Sequence, residues 1–222
     1  MSGDSAPGRR LQPYTFITLA VVVASQLLAY CATKAALPYL TAHLLGGPLD
    51  AHIPCVPAWV TVYCLSYPFW VVYGLWIFSE RKEHAYRVAS AFVLSMCLSA
   101  AVFLLYPCTM VRPELTGDDI FTRWLAAVYR TDAPVNLCPS IHVLATYFCC
   151  RGAFGSRRIP RFFQVFSLVF LVLVCCSVLL VKQHVLVDVP AAVAIGELAI
   201  QAARLLRLER IPFAIEKAIR KE

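Results

Sequence analysis

The segment from Phe162 to Val181 has the sequence FFQVFSLVFLVLVCCSVLLV, twenty residues without a charged side chain. About 20 apolar residues suffice for an α-helix to cross the hydrocarbon core of a bilayer. The polar residues Lys182-Gln183-His184 follow at once. This pattern predicts a transmembrane helix that ends at a membrane surface with a histidine beside it.

The composition of the whole chain agrees with a lipid environment. Of the 222 residues, 60% are hydrophobic and 15% are charged, with a mean hydropathy of +0.69. A soluble domain of this size cannot bury so much apolar surface. The net charge of +7 does not indicate nucleic-acid binding, because the basic residues are scattered between apolar segments and form no patch.

Five further segments resemble the first, and they lie at residues 14–31, 58–78, 88–106, 139–153 and 185–206. The six together predict an all-α polytopic membrane protein, a single domain (1–222) built as a bundle of six transmembrane helices. The segment 139–153 is the shortest, since Arg151 ends its apolar run. A helix buried among others need not match the full bilayer thickness.

The basic residues predict the orientation, because short loops rich in Lys and Arg stay in the cytoplasm. With both termini cytoplasmic, only five basic residues face the other side: Lys34, Arg112, Arg123, Arg130 and Lys182. We therefore expect an integral plasma-membrane protein. A cleaved signal sequence that starts with Arg9 and Arg10 is the alternative for the first segment, although Tyr30 is too large for the position before cleavage.

The basic tail, residues 204–222, alternates apolar and charged side chains. This alternation is typical of an amphipathic helix lying on the membrane surface. The simpler interpretation is a solvated helix end.

His184 and Asp188 are four residues apart, which on a helix places them on one side within hydrogen-bonding reach. A carboxylate at one ring nitrogen fixes the tautomer and leaves the other nitrogen as a nucleophile or base. Charged groups this close to hydrocarbon mark a functional site. The alternative is a buried pair that only fixes two helices.

A second histidine favours the functional interpretation. His142 follows Pro139-Ser140 at the predicted outer start of a helix, directly after the long loop 107–138. Helix starts present free N–H groups and partial positive charge, which favour an anion. With Arg112, Lys182, Ser140 and Asn136 as further ligands, the predicted site within residues 107–190 binds a phosphate.

These residues resemble the motifs of the type 2 phosphatidic acid phosphatase superfamily, which includes lipid phosphate phosphatases, sphingomyelin and inositol phosphorylceramide synthases, and vanadium haloperoxidases. The resemblance covers roughly residues 112–189. The family motif Pro-Ser-Gly-His corresponds to Pro139-Ser140-Ile141-His142. The motif Ser-Arg, five residues, His, three residues, Asp corresponds to Ser177-Val178 followed by His184 and Asp188 with the spacing intact.

Three positions depart from the family pattern. The first motif keeps Arg112-Pro113 but has Leu105 in place of its lysine. Val178 replaces the arginine of the third motif, and Ile141 replaces the glycine of the second. Lys182 is two residues before His184, so it offers another cation in the same segment.

The resemblance implies a mechanism without metal or cofactor. His184 would attack phosphorus to form a phosphohistidine, Asp188 would orient it, and His142 would protonate the leaving alkoxide. Arg112, Lys182 and Ser140 would hold the phosphate oxygens. The substrate expected is a membrane lipid phosphate monoester, hydrolysed on the extracytoplasmic side.

Two other functions stay open at this stage. The segment Asp50-Ala51-His52-Ile53-Pro54, together with Lys182, is similar to the synthase-like branch, which implies a phosphotransferase with Asp50 or His52 at the headgroup. A plain helix-entry turn explains that segment equally well. A non-catalytic transporter or scaffold is the alternative of another class.

The remaining histidines, glutamate and cysteines are not expected to be catalytic. His43 and His84 are interpreted as bystanders, and Glu197 as paired with another helix or reaching the cytoplasmic surface. No metal-binding spacing occurs among the ten cysteines. Cys108 and Cys138 are candidates for a disulfide bond in an oxidising compartment.

Overall fold

A computed structural model of the protein describes residues 11–219. It is 73% helix and 2% strand, so the all-α prediction is confirmed. The basic residues Arg9, Arg10, Arg220 and Lys221, and the end of the predicted tail, lie outside the described residues. The helices are α1 (Pro13–Ala36), α2 (Pro48–His52), α3 (Val60–Phe78), α4 (Lys82–Leu105), α5 (Ile120–Thr131), α6 (Ile141–Gly155), α7 (Arg161–Leu180), α8 (Asp188–Leu205) and α9 (Arg210–Ile219).

Contacts at one end of the bundle, here called the lower end, join the start of α1 to two interhelical segments and the start of α4 to α9. The Tyr14 hydroxyl donates to the carbonyl of Glu80, between α3 and α4, at 2.6 Å. The Ser156 hydroxyl, between α6 and α7, donates to the Glu80 carboxylate at 2.6 Å. Lys82 pairs with Glu216 of α9 at 2.8 Å.

The opposite end, here called the upper end, joins the other ends of the same helices. The Val56 amide, before α3, donates to the carbonyl of Leu180 at the end of α7, at 2.8 Å. The Ser140 amide, before α6, donates to the carbonyl of Asp188 at the start of α8, at 3.3 Å. Helices α1, α3, α4, α6, α7 and α8 therefore run alternately between two ends.

The predicted count of six transmembrane spans is not confirmed. Within residues 11–219, four segments are long and apolar enough to cross a membrane: Pro13–Tyr39, Pro57–Phe78, Lys82–Leu105 and Arg161–Leu180. A fifth results if α8 and α9, bent by 57°, are counted as one. Helix α6 has only 15 residues. Apolar side chains such as Leu105, 84% exposed, cover the outside of the bundle, as expected where lipid is the solvent.

Helix α6 lies in the middle of the bundle, packed against α3, α7 and α8. Most of its side chains are buried, which explains how a short helix with Arg151 near its end is accommodated. Gly196 allows α8 to approach it closely, because a Cβ there would lie 2.9 Å from the Tyr147 ring. This packing fixes the two helix starts that carry the predicted site.

The upper end contains structure where the sequence predicted a loop. Helix α5 begins after Asp119, whose carboxylate accepts from the amides of Phe121 and Thr122 at 2.9 and 3.2 Å. The strands β1 (His43–Leu44) and β2 (Cys108–Thr109) pair in parallel. The two strands tie the segment after α1 to the segment after α4, and Asp132 directly follows the last residue of α5.

Candidate active site

The site is built where α6 and α8 begin. Ser140 is fully buried, and its hydroxyl accepts from the Val143 amide at 3.4 Å, as an N-cap residue does. Its amide meets the carbonyl of Asp188, so the two helix starts are held side by side. Ser140 therefore supports the site as a cap, and its side chain does not line the cavity described below.

His184 and Asp188 form the predicted pair. Nδ1 of His184 lies 3.0 Å from the Asp188 carboxylate, and the Val185 amide donates to the same oxygen at 3.0 Å. The sequence predicted that His184 lies on a helix with Asp188. In the structure α8 begins only at Asp188, and His184 lies in the turn before it. The carboxylate fixes the turn as well as the ring, and Nε2 is the imidazole nitrogen left for chemistry.

His142 lies on the first turn of α6 and is largely buried. Its Nε2 is 3.1 Å from the Tyr67 hydroxyl, and its ring stacks on Tyr63 with the centroids 4.0 Å apart. Trp70 closes another side at 5.1 Å. The aromatic contacts fix the ring and place it in one orientation.

A cavity of about 430 Å³ brings the two histidines together. Among its lining residues are Tyr30, Tyr63, Tyr67, Asp132, Asn136, His142, Gln183 and His184. No lysine or arginine of the described chain lines it. The cavity therefore combines two imidazoles, hydroxyl and amide groups, and one carboxylate.

The carboxylate is Asp132, at the end of α5. Its two oxygens accept from the hydroxyls of Tyr30 at 2.7 Å and Tyr63 at 3.2 Å. These donors come from α1 and α3, so Asp132 joins three elements at the wall of the cavity. The carboxylate retains lone pairs for further hydrogen bonds, since each oxygen accepts one donor in the structure.

Arg112 and Lys182 lie outside this cavity. Arg112 donates to the carbonyl of Asp132 at 2.6 Å and to the Gln183 side chain, and its guanidinium stacks on Tyr129 at 4.5 Å. Burial lowers the pKa of Arg112, while the carboxylate of Asp132 acts to raise it. Lys182 donates to the carbonyl of Asp50 at 2.9 Å. In this structure both predicted phosphate ligands hold loops in place.

Two amide side chains at the cavity wall have unused polar atoms. Asn136 donates to the Thr33 hydroxyl at 2.8 Å, and its buried Oδ1 has no partner among the described residues. Gln183 accepts from Arg112, and its buried Nε2 is likewise without a partner there. Both residues line the cavity, and each has one buried polar atom without a partner among the described residues.

Asp50 and His52, the predicted headgroup residues, both lie on α2, and neither lines the cavity. One Asp50 oxygen accepts from the Leu186 amide at 2.7 Å and the other from the Gly47 amide at 2.9 Å. His52 is exposed, and its Nδ1 meets the carbonyl of Pro48 at 2.6 Å. Asp50 therefore restrains the segment that follows His184 and belongs to its support.

The remaining candidates lie elsewhere. Glu197 accepts from Tyr147 at 2.6 Å and pairs with Arg151 at 3.3 Å, as the predicted contact with another helix requires. His84 contacts the carbonyl of Gly152 at 3.1 Å toward the lower end.

Cys108 and Cys138, the candidates for a disulfide, are both free thiols in the structure. Each lies near Asp188 at the upper end. Burial raises the pKa of Cys108 to about 11 and that of Cys138 to about 12. The two thiols therefore stay protonated at neutral pH.

Sequence reasoning did not assign Asp132, Gln183 and the tyrosines to the site. Asp132 was one of several charges in the loop 107–138, and only the fold of α5 selects it. A signal was present, because Asp119 is a good N-cap and apolar residues follow at Phe121, Trp124 and Leu125 with helical spacing. The tyrosines lie inside apolar helices, where sequence does not distinguish a cavity wall from a lipid contact.

Comparison with known proteins supports the family indicated by the motifs. The family model described as the PAP2 superfamily matches residues 41–202. No curated protein and no solved structure matched the chain. The family match covers more than half of the chain and includes both histidines and Asp188, so this protein belongs to the PAP2 superfamily, that of the type 2 phosphatidic acid phosphatases.

Proposed function

We propose that this protein is an integral membrane enzyme that hydrolyses a phosphate ester of a lipid through a phosphohistidine on His184. Membership of the PAP2 superfamily supports phosphatase-type chemistry at phosphate esters. The observation that carries the proposal is the pair of His184 and Asp188 at 3.0 Å, with both histidines lining one cavity.

The first step forms a bond between Nε2 of His184 and phosphorus, while the bond from phosphorus to the lipid oxygen breaks. Asp188 holds the proton on Nδ1 and balances the positive charge that develops on the ring. Protonated His142 gives its proton to the leaving oxygen. In the structure Nε2 of His142 faces the Tyr67 hydroxyl at 3.1 Å, so the leaving oxygen would replace or share this contact.

In the second step, water attacks phosphorus and the bond to His184 breaks. His142, now neutral, takes a proton from the water. The products are the phosphate-bearing fragment and the free imidazole. His142 thus serves as acid in the first step and as base in the second.

The negative charge of the phosphate would be met without a direct lysine or arginine contact. The start of α6 presents partial positive charge and free N–H groups toward the site. Gln183 adds an unused N–H, positioned by Arg112. We expect Arg112 to act through Gln183 and Asp132 in place of the direct contact that the motif implies.

The proposed orientation puts the upper end of the bundle on the extracytoplasmic side. Arg81, Arg157 and Arg158 lie in the loops of the lower end, and Lys82 begins α4 there, as the cytoplasmic side requires. A substrate in the outer leaflet would then reach the cavity from the membrane.

A second candidate is transfer of a phosphate-bearing headgroup to a lipid alcohol instead of water. Asp132 favours it, because a carboxylate at the cavity wall repels the dianion of a phosphate monoester and suits a headgroup that donates hydrogen bonds. The two reactions share the first step and differ only in the acceptor.

Purified protein with EDTA, supplied with phosphatidic acid and with phosphodiester lipids, tests the proposal. We expect diacylglycerol release by the wild type and at least about a 10³-fold loss in His184→Ala and in His142→Ala. Water-soluble phosphate products favour hydrolysis, and a new lipid favours transfer. Equal turnover by the wild type and His184→Ala would rule out the phosphohistidine mechanism.

His43→Ala is the matched control for these variants. His43 is exposed at the upper end, where its ring stacks on Tyr106 at 4.3 Å away from the cavity lining. This variant should retain wild-type turnover, and size-exclusion profiles should show that all three variants are folded.

A further inference from the structure

The wall of the cavity contains more hydrogen-bond acceptors than the handling of a phosphate requires. The two histidines and the unused N–H of Gln183 supply what the transferred phosphate needs. Asp132 and the unused Oδ1 of Asn136 are acceptors, and acceptors repel phosphate oxygens. They therefore fit a different part of the ligand.

We propose that Asp132 and Asn136 form a subsite for a hydrogen-bond-donating headgroup, an amine or a polyol, attached to the phosphate of the lipid substrate. This inference rests on the proposed function, and it specifies the substrate as a phosphodiester. Asp132, fixed by Tyr30 and Tyr63, binds the donor groups, and Asn136 Oδ1 binds a second donor.

The geometry indicates that Asp132 and Asn136 are held in fixed positions, as a binding subsite requires. Two tyrosine hydroxyls from two helices hold the Asp132 oxygens at 2.7 and 3.2 Å, so the side chain cannot turn away to solvent without breaking both bonds. Asn136 is 4% exposed and its amide nitrogen is bound to Thr33, which fixes Oδ1 as the free atom. A buried acceptor left unpaired is unfavourable, so a ligand donor there gains affinity.

The aromatic rings extend the subsite. Tyr30, Tyr63 and Tyr67 line the same cavity as Asp132. Ring faces attract ammonium groups and also pack against the carbon skeleton of a polyol. Amine and polyol headgroups share hydrogen-bond donors, and binding measurements with one lipid of each kind distinguish them.

Lipid binding by His184→Ala provides the test, because binding does not require turnover. Isothermal titration in detergent compares four short-chain lipids: phosphatidylethanolamine, phosphatidylglycerol, phosphatidylmethanol and phosphatidic acid. Phosphatidylmethanol is also a phosphodiester, but its headgroup has no donor. We expect phosphatidylethanolamine or phosphatidylglycerol to bind at least about tenfold tighter than phosphatidylmethanol, because a hydrogen bond to a charged group contributes this much affinity.

Asp132→Asn in the same background should reduce this preference to less than about threefold. Asparagine keeps an acceptor oxygen but removes the charge, so a lipid with an amine headgroup loses more affinity than one with a polyol. The size of the loss therefore shows which kind of headgroup the subsite binds. Asp118→Asn is the matched control, since Asp118 is exposed in the same upper segment and lies outside the cavity lining.

Two results would overturn the subsite. Phosphatidylmethanol could bind the unsubstituted site as tightly as the donor-bearing lipids, a comparison that does not depend on the folding of Asp132→Asn. Alternatively, Asp132→Asn could weaken all four lipids by the same factor. Absence of turnover in the wild type would instead contradict the proposed function, and the binding preference would still be measurable.

Discussion

Substituting Asp188 by asparagine isolates the electrostatic part of the proposed mechanism. Asp188 is fully buried, and one of its oxygens faces Nδ1 of His184 and accepts from the Val185 amide, both at 3.0 Å. Asparagine can keep its oxygen in this place, because a donor there would meet the Val185 N–H. The turn and the imidazole tautomer are then preserved, and only the negative charge is lost.

The size of the effect follows from the charge on the ring. Two unit charges about 4 Å apart interact by about 4 kcal/mol at an effective dielectric constant of about 20. This attraction is present when His184 carries the phosphoryl group and a positive charge, and it is absent while the ring is neutral. At about 1.4 kcal/mol per tenfold, kcat should fall by about 10³-fold in Asp188→Asn, with little change in KM.

Steady-state release of diacylglycerol from detergent-solubilised lipid measures kcat and KM separately. Thermal unfolding followed by size-exclusion chromatography checks that Asp188→Asn is folded. Glu197→Gln makes the same chemical change on α8, at a carboxylate bound to Tyr147 and Arg151, and should leave kcat unchanged. If kcat of Asp188→Asn stayed within threefold of wild type, the His184 ring would not become positively charged during the reaction. That result would refute the attack of His184 on phosphorus.

Asp50→Ala removes the acceptor of the Leu186 amide, so the free energy of unfolding should fall by about 1–3 kcal/mol, measured by thermal denaturation, and an unchanged midpoint would contradict this role. Tyr67→Phe removes the hydroxyl at 3.1 Å from His142, and kcat should fall by about three- to tenfold, whereas a change below twofold would show the contact to be dispensable. Burial raises the pKa of Cys138 to about 12, so its thiol stays protonated at pH 7 and should react slowly with iodoacetamide by mass spectrometry; rapid stoichiometric labelling would contradict this burial.

The long helices were predictable because their composition reflects the solvent around them. Segment 162–181 corresponds to α7 (Arg161–Leu180), and segment 88–106 corresponds to all but the first six residues of α4 (Lys82–Leu105). Helix α4 begins earlier than predicted. Its first residues are polar and lie at the lower end, so the hydropathy of the sequence does not reveal them. The upper end was not predictable in the same way, since α5 is short and amphipathic and packs against other elements.

The pair of His184 and Asp188 was predictable from four residues of sequence, although the expected reason was wrong. A helix was expected to bring the side chains together, whereas a turn does so, because the carboxylate also accepts from Val185 within that turn. Short spacing restricts geometry in both cases. Asp132 is 52 residues from His184 in sequence, and no local rule connects them.

The contacts of the two cations could not be predicted from residue type alone. Arg112 and Lys182 were expected at the phosphate because positive charges on the outer side need a reason. Their side chains are long, and each donates to a backbone carbonyl, Arg112 to that of Asp132 and Lys182 to that of Asp50. A cation used in this way stabilises the loop that carries the site and leaves the cavity open to a neutral or cationic headgroup. If Arg112 contacted the phosphate directly, the negative charge of Asp132 nearby would weaken that contact. The arrangement with Arg112 behind Gln183 therefore suits a ligand whose headgroup contributes as much to recognition as its phosphate.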